Sequence, residues 1–215
     1  MAELKKLKVI IFDLDGTLVD STRDITNALN HAIAPYGYKP LTSGDTLKLV
    51  GEGITRLVEK VIGDDTSSIK DDILDRFIKY YDEHLTDFTR PYPEIRETLA
   101  RLGRYKKAVI SNKREVLSKK LLKQLDLLRF FDIVLGSDSV SDRKPSPVPL
   151  RKVLEAFRIS PENAIIVGDS DLDIRAGKSA GIITVAVTYG YRSREALTQA
   201  DFLIDSIDQL LALIE

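Results

Sequence analysis

The sequence predicts an α/β protein: a doubly wound, Rossmann-like parallel sheet with an all-helical domain inserted near its start. Three observations predict it. Short apolar runs without polar alternation recur along the chain, and such runs read as strands buried on both faces. Amphipathic helical stretches separate the later runs, and that alternation implies a parallel sheet with helices on both faces. Between residues 20 and 84, by contrast, helical patterns follow one another with no convincing strand.

Taken in order, Val9–Phe12 is the first strand. Asp13 stands where it ends, and Gly16 lets the chain turn sharply. A helix follows, capped by Asp20 or Ser21, with Ile25, Leu29, Ala32 and Ile33 at helical spacing. The stretch 35–40, with a proline at each end, closes it. Ser43 or Asp45 starts a short helix toward Leu49, Gly51-Glu52-Gly53 breaks it, and 54–62 is helical again. Gly63-Asp64-Asp65 is a turn, and 69–81 is an amphipathic helix with Ile73, Leu74, Phe77, Ile78 and Tyr81 on one side. Residues 20–84 thus form a helical domain of about 65 residues, large enough to stand as a unit, and the core domain is 1–19 with 85–215. Pro91 and Pro93 stiffen the return linker, and Pro93-Glu94 opens a helix to Leu102. Then come a strand at 108–111, a helix at 113–125, a strand at Ile133–Leu135 and a polar loop at 136–147. A helix at Val148–Phe157, a strand at 164–167 and a helix at Asp171–Ala180 follow. A strand at Ile183–Val187, a short helix at 194–200, a short strand at Phe202–Ile204 and a helix at 206–214 complete the chain.

Composition narrows the function. At 215 residues the chain holds one large domain, or a core with a smaller insert. A net charge of −1 gives no whole-molecule field for nucleic acid. The absence of cysteine excludes disulfides, thiolate catalysis and cysteine-bound zinc. The start is basic but has no long apolar core, so no signal peptide is expected; no run reaches membrane-spanning length, and the cytoplasm is the expected location. Oligomeric state is not legible.

In a doubly wound sheet the ligand sits beyond the carboxyl ends of the strands, where strand order reverses. Each early strand delivers polar groups to that edge. Asp13 and Asp15 follow the first, and Ser111 and Asn112, at an expected helix start, follow the second. Lys144 lies in the loop after the third, and Gly168-Asp169-Ser170-Asp171-Leu172-Asp173 follows the fourth. With the first strand central and neighbours ~4.8 Å away, Asp13, Ser111 and Asp169 fall within reach of one ion and one phosphate. Paired carboxylates at a buried strand end are costly unless a cation or a proton separates them.

Asp13 is the candidate nucleophile, its carboxylate attacking phosphorus to give an acyl phosphate. Attack on an anionic phosphate needs charge cancelled, and Mg2+ held by Asp13, Asp169 and the main-chain carbonyl of Asp15 would do so. The Asp15 side chain is then free to protonate the leaving oxygen and later deprotonate water. Ser111 and the amide of Asn112 would hold phosphate oxygens, Lys144 would neutralise Asp13 and the phosphoryl group, and Asp173 would orient Lys144 or metal-bound water. Each segment has a plainer use. Acids favour a helix's first turn, Ser111-Asn112 could be an N-cap, and the proline-rich stretch after Lys144 a stiff linker. All four in order outweigh those uses.

The same four segments resemble the haloacid dehalogenase-like (HAD) superfamily of phosphohydrolases over nearly the whole chain. Phe12-Asp13-Leu14-Asp15-Gly16-Thr17-Leu18 is similar to the first motif, with Thr17 a supporting residue. Val109-Ile110-Ser111-Asn112-Lys113 is similar to the second, Lys144-Pro145-Ser146-Pro147 to the third, and 167–173 to the fourth. The helical insert resembles the cap domain of the phosphoglycolate phosphatase-like branch, as does Val187-Thr188-Tyr189-Gly190-Tyr191. The resemblance implies magnesium dependence, an aspartyl-phosphate intermediate and a small phosphorylated metabolite as substrate. Dehalogenases lack the second acid of the first motif, so Asp15 counts against that chemistry. A mutase would carry histidine where Ile25 stands. Lys48 lies near the place of the Schiff-base lysine of phosphonoacetaldehyde hydrolase. A catalytically idle binding module would not need the full set of acids with Lys144. The cap candidates for specificity are Lys48, Arg56 and the amides at Gly51 and Gly53, and a cation there would suit the carboxylate of 2-phosphoglycolate. Pyrophosphate, sugar phosphates and nucleotides are the alternatives.

Overall fold

The computed structural model describes residues 6–63 and 69–214. In chain order the elements are β1 (Val9–Phe12), β2 (Val19–Asp20), α1 (Thr22–Ile33), α2 (Ser43–Leu49), α3 (Ile54–Ile62), α4 (Lys70–Glu83) and β3 (Arg90–Pro91). They continue as α5 (Ile95–Arg101), β4 (Lys106–Ile110), α6 (Glu115–Gln124), β5 (Ile133–Leu135), α7 (Val148–Phe157) and β6 (Ala164–Gly168). Last come α8 (Asp171–Ala180), β7 (Ile183–Val187), β8 (Phe202–Ile204) and α9 (Gln209–Ile214). The turn expected at Gly63-Asp64-Asp65 lies, after Gly63, outside the described residues. Among the described residues no helix is long and apolar enough to cross a membrane.

The chain divides into two compact units, residues 1–20 with 91–215, and residues 21–90. The first is built on a six-stranded parallel sheet in the order β5-β4-β1-β6-β7-β8. All four residues of β1 are fully buried. Their side chains alternate between faces. Val9 and Ile11 pack with Leu150, Val153 and Leu154 of α7 and Ala176 and Ala180 of α8. On the other face Phe12 meets the ring of Phe131 edge to face at 6.0 Å. The chain leaves β1 toward β4 and leaves β6 toward β7, on opposite sides. The order therefore reverses between β1 and β6, and the crevice of a doubly wound sheet opens above that pair. Register fixes what reaches it. Phe12 lies beside Val109 of β4 and Val167 of β6, so the next residues, Asp13, Ile110 and Gly168, stand level at the edge.

Most expected elements appear, with shifts that have local causes. The helix expected from 113 begins at Glu115, because the Glu115 N–H is bonded to the Asp138 carboxylate (2.7 Å) and Lys113 N–H turns back to Ser111 Oγ (3.1 Å). Ser111 and Asn112 are thus loop residues before the helix, not its first turn. Helix α2 is capped by Thr42 rather than by Ser43 or Asp45. Thr42 and Asp45 form a reciprocal capping box. The last helix is shorter than expected, starting at Gln209.

The second unit is helical. Its α1 packs on α4, burying Ile25, Leu29, Ala32 and Ile33 against a face carrying Ile73, Phe77 and Tyr81. His31 and His84 stack on the ring of Tyr80 at 4.3 and 4.2 Å, a structural use for both histidines. The stretch 85–90 belongs with this unit, six residues beyond the division read from the sequence. Asp24 holds it there. This buried carboxylate accepts from the N–H groups of Phe88 (3.0 Å) and Thr89 (2.8 Å) and from Thr89 Oγ1 (2.7 Å). Replacing it would leave buried donors unmet. Asp24→Ala is expected to lower the unfolding free energy by about 3 kcal/mol. Urea denaturation beside the wild type measures this, and an unchanged midpoint would show that the network contributes nothing.

Candidate active site at the carboxyl edge of the sheet

The edge gathers three buried acids around one buried amine. The Asp13 N–H extends the sheet ladder by donating to Val167 O (2.9 Å), which fixes the carboxylate at the end of β1. Lys144, 3% exposed, donates from Nζ to Asp13 Oδ1 (2.7 Å), Asp173 Oδ1 (2.6 Å) and Ile110 O (2.9 Å). Those three bonds use its three donors. Asn112 secures the other end of the residue, with Nδ2 donating to Lys144 O (2.9 Å). The second oxygen of Asp173 accepts from Ser170 Oγ (2.6 Å) and Ser170 N–H (3.2 Å), the capping box that begins α8.

Asp169 is held by neutral donors. The Tyr191 N–H reaches its Oδ2 at 2.7 Å and Thr17 Oγ1 its Oδ1 at 3.4 Å. Two glycines let the backbone approach it. Gly16, at φ +88°, has a left-handed conformation, and a Cβ there would overlap the Asp169 carboxylate. A Cβ on Gly190 would overlap both Asp169 and the Gly16 carbonyl. Asp15 pairs with Lys113, Nζ to Oδ1 at 2.6 Å, with side chains only 12% and 8% exposed. The third acid of the fourth segment, Asp171, points to solvent and pairs loosely with Arg175 at 3.6 Å.

Electrostatics follow from this crowding. Burial pushes the Asp13 carboxyl well above the usual range, Lys144 opposes the rise, and Asp173 and Asp169 add to it. Burial likewise raises Asp169 to about 7, helped by Asp173 and opposed by the Tyr191 N–H and Arg192. Burial works against the charge of Lys144, but Asp13 and Asp173 outweigh it and hold the amine above its ordinary value. Carboxylate oxygens of Asp13, Asp169 and Asp173 lie within 4.8 Å of one another. This all-oxygen, anionic cluster fits a hard divalent cation. Asp13 and Asp169 stand at the ends of the two strands that flank the reversal point, and Asp173, five residues past β6, is bonded to Lys144 and Ser170.

The structure brings Asp13, Asp15, Ser111, Asn112, Lys144, Asp169, Asp173 and Thr17 to the carboxyl ends of β1, β4 and β6. The remaining sequence candidates, Lys48, Gly51, Gly53 and Arg56, lie in the helical unit. Lys48 is exposed in the last turn of α2, and Arg56 is paired with Glu59 at 2.7 Å and Glu52 at 3.9 Å. Sequence reasoning assigned no role to Lys113, although it closes the second segment, nor to the loop Tyr189-Gly190-Tyr191. There Tyr189 Oη donates to Thr17 O (2.8 Å), its ring packs 4.7 Å from that of Tyr92, and Tyr191 supplies the N–H on Asp169. A glycine between two tyrosines just after a strand was the available signal.

Residues 10–187 match the sequence profile of the haloacid dehalogenase-like hydrolases. The chain is 40% identical over 221 residues to the phosphoglycolate phosphatase of Neisseria meningitidis serogroup A, covering 97% of this chain and 94% of that protein. It is 43% identical over 187 residues to the phosphoglycolate phosphatase of Aquifex aeolicus, covering 86% of each. Among solved structures, a predicted phosphoglycolate phosphatase from Haemophilus somnus 129PT superposes with a TM-score of 0.91 at 29% identity, covering 98% of this chain and 99% of that one.

A proton on Asp169 would compete with a cation bound there. Because the folded-state value is raised from 3.8 to about 7, the metal-free folded protein keeps this proton at pH values where the unfolded chain has lost it. The group's contribution to metal-free stability therefore falls as pH rises from about 4 to about 7, and cation binding must displace the proton below that range's upper end. Calorimetric titration with Mg2+ is expected to show affinity falling by roughly tenfold per pH unit below neutrality. In Asp169→Asn binding is expected to be lost, and a pH-independent affinity in the wild type would contradict the assignment.

Proposed function

The chain belongs to the haloacid dehalogenase-like hydrolase family, and from that premise we propose that it is a magnesium-dependent phosphatase of a small phosphorylated metabolite, with 2-phosphoglycolate the preferred substrate. One observation carries the reading: the Asp13 carboxylate is gripped by Lys144 through Oδ1 alone, at 2.7 Å, beside Asp169. That geometry leaves the other oxygen for attack on phosphorus. A buried carboxylate built only for stability would have both oxygens bonded, as Asp173 does.

The steps follow from the residues. Asp13 Oδ2 forms a bond to phosphorus as the bond to the leaving oxygen breaks, giving an aspartyl phosphate. Asp15 gives its proton to that oxygen, then takes one from the water that attacks phosphorus, which releases inorganic phosphate and restores Asp13. Ser111 Oγ and the Asn112 N–H receive phosphoryl oxygens, and Lys144 fixes Asp13 and offsets the charge gathered there. Magnesium, held by Asp13, Asp169 and the carbonyl of Asp15, supplies the remaining charge cancellation when bound. Asp173 keeps Lys144 aimed at the nucleophile, and Thr17 steadies Asp169. Residues 21–90 serve as a cap domain that contributes to selectivity, a reading supported by their mostly helical make-up and their insertion between the first and second segments. The substrate choice is supported by the names of relatives that match this chain along most of its length.

Phosphate release from 2-phosphoglycolate, pyrophosphate, sugar phosphates, nucleoside monophosphates and p-nitrophenyl phosphate tests the proposal. Turnover is expected with magnesium, not with chelator, and not in Asp13→Asn. The highest kcat/KM is expected for 2-phosphoglycolate, and another member ranking first would replace the substrate while leaving the phosphatase in place. No turnover of any member by folded, magnesium-supplied protein would refute the reading. Asp15→Asn separates the two halves of the mechanism. It is expected to lower kcat on 2-phosphoglycolate by about 10²- to 10⁴-fold. The first step on p-nitrophenyl phosphate should suffer much less, since nitrophenolate leaves without a proton, and a burst of nitrophenol would report it. Equal losses in both would argue against Asp15 as the proton donor.

A further inference from the structure

We propose that Lys113 is a specificity-determining residue of this phosphatase, recognising the carboxylate carried next to the leaving oxygen of its substrate. The inference rests on the function proposed above and adds to it where the second anion is read. Lys113 Nζ lies 2.6 Å from Asp15 Oδ1, both side chains nearly buried. In the reaction, Asp15 must come within hydrogen-bond distance of the leaving oxygen. Anything bonded to that carboxylate is therefore next to the first atoms of the leaving group. In 2-phosphoglycolate the carboxylate is one CH2 from the leaving oxygen, which places it beside the ammonium. An ammonium with three donors can bridge two carboxylates, as Lys144 does between Asp13 and Asp173.

The backbone holds Lys113 for this purpose. Its N–H is bonded to Ser111 Oγ (3.1 Å) and its carbonyl accepts from Ser137 N–H (2.9 Å), so the residue is tied on both sides, next to the group that would bind phosphate. Reading the anion from the core unit also accounts for the state of Arg56 in the helical unit, which is already paired with two glutamates and half exposed. The ligand class follows: phosphate esters with a negative group one or two bonds beyond the leaving oxygen, over neutral or cationic esters of the same size.

The test compares kcat/KM for 2-phosphoglycolate, ethyl phosphate and phosphoethanolamine in the wild type, Lys113→Gln and Lys113→Arg, all with saturating magnesium. Glutamine keeps a donor for Asp15 and removes the charge. The wild type should favour the anionic ester over the neutral one and the neutral one over the cationic one. In Lys113→Gln the ratio of 2-phosphoglycolate to ethyl phosphate should fall about ten- to a hundredfold, the loss expected for a hydrogen bond between charged groups. Lys113→Arg should retain most of the ratio. A wild type that treats the three esters alike, or a Lys113→Gln enzyme whose ratio is unchanged, overturns the inference and leaves the phosphatase reading intact. No turnover of any ester by the wild type overturns both. Should Lys113→Gln not fold, the Lys113 15Nζ resonance of the wild type, assigned against Lys113→Arg, decides. It should shift on adding glycolate and not ethanol, and a resonance that glycolate leaves unmoved overturns the inference.

Discussion

The arrangement depends on one buried amine between two buried carboxylates. Asp13 and Asp173 come from different strand ends, and both are nearly inaccessible to water. Left without a partner, either would cost several kcal/mol as an anion or would take a proton. Lys144 resolves both at once, and its third donor goes to the Ile110 carbonyl at the end of β4. The amine therefore ties together the ends of β1 and β4 and the first turn of α8. Ion pairs of this kind add little net stability compared with an apolar core, because desolvation consumes most of the attraction. Their presence at a strand edge is better explained by what they fix, namely the position of the Asp13 carboxylate.

Asp169 is the complementary case. It receives no such amine, only an N–H and a hydroxyl, and the backbone of two other segments is drawn in close around it. Gly16 and Gly190 make that approach possible, since any side chain at either place would occupy the space of the carboxylate. The result is an acid that burial holds near neutrality in its protonation, one residue past the end of its strand. Asp13, Asp169 and Asp173 share one buried amine, so negative charge exceeds positive at this edge. A divalent cation held by Asp13 and Asp169, as proposed above, would make good the deficit.

Most of the sheet was legible in the sequence because its strands are unbroken apolar runs and the sheet is buried on both faces, so period and burial coincide at Val9–Phe12 and Ile183–Val187. Asp13, Asp15 and Asp169 were legible because each stands just beyond such a run, and Lys144 because it lies in the polar loop after the third. What escaped depends on contacts made across the chain. The late start of α6 is set by Asp138, more than twenty residues on. The pairing of Lys113 with Asp15 joins residues 98 apart, and no local pattern announces it. The role of Gly190 lies in a packing distance to Asp169, which sequence spacing does not express. In the helical unit, Arg56 is a candidate for specificity, and its pairing with Glu59 in α3 and with Glu52 just before it is a contact that the candidate's own position does not announce.

The fourth segment shows that capping and catalysis need not compete for the same residues. Its three acids divide the work by direction. Asp171 faces water in the first turn of α8, where a negative charge favours the helix dipole. Asp173 accepts from Ser170 through one oxygen, beginning the helix, and from Lys144 through the other. The helix start and the placement of Lys144 are therefore one structure, so any change that frays the first turn of α8 also loosens the amine that holds Asp13. Asp169, one step before the cap, takes no part in it and accepts instead from the Tyr191 N–H and Thr17 Oγ1. A single turn of chain thus supplies the helix cap, the anchor of the buried amine and the buried carboxylate proposed to hold a cation.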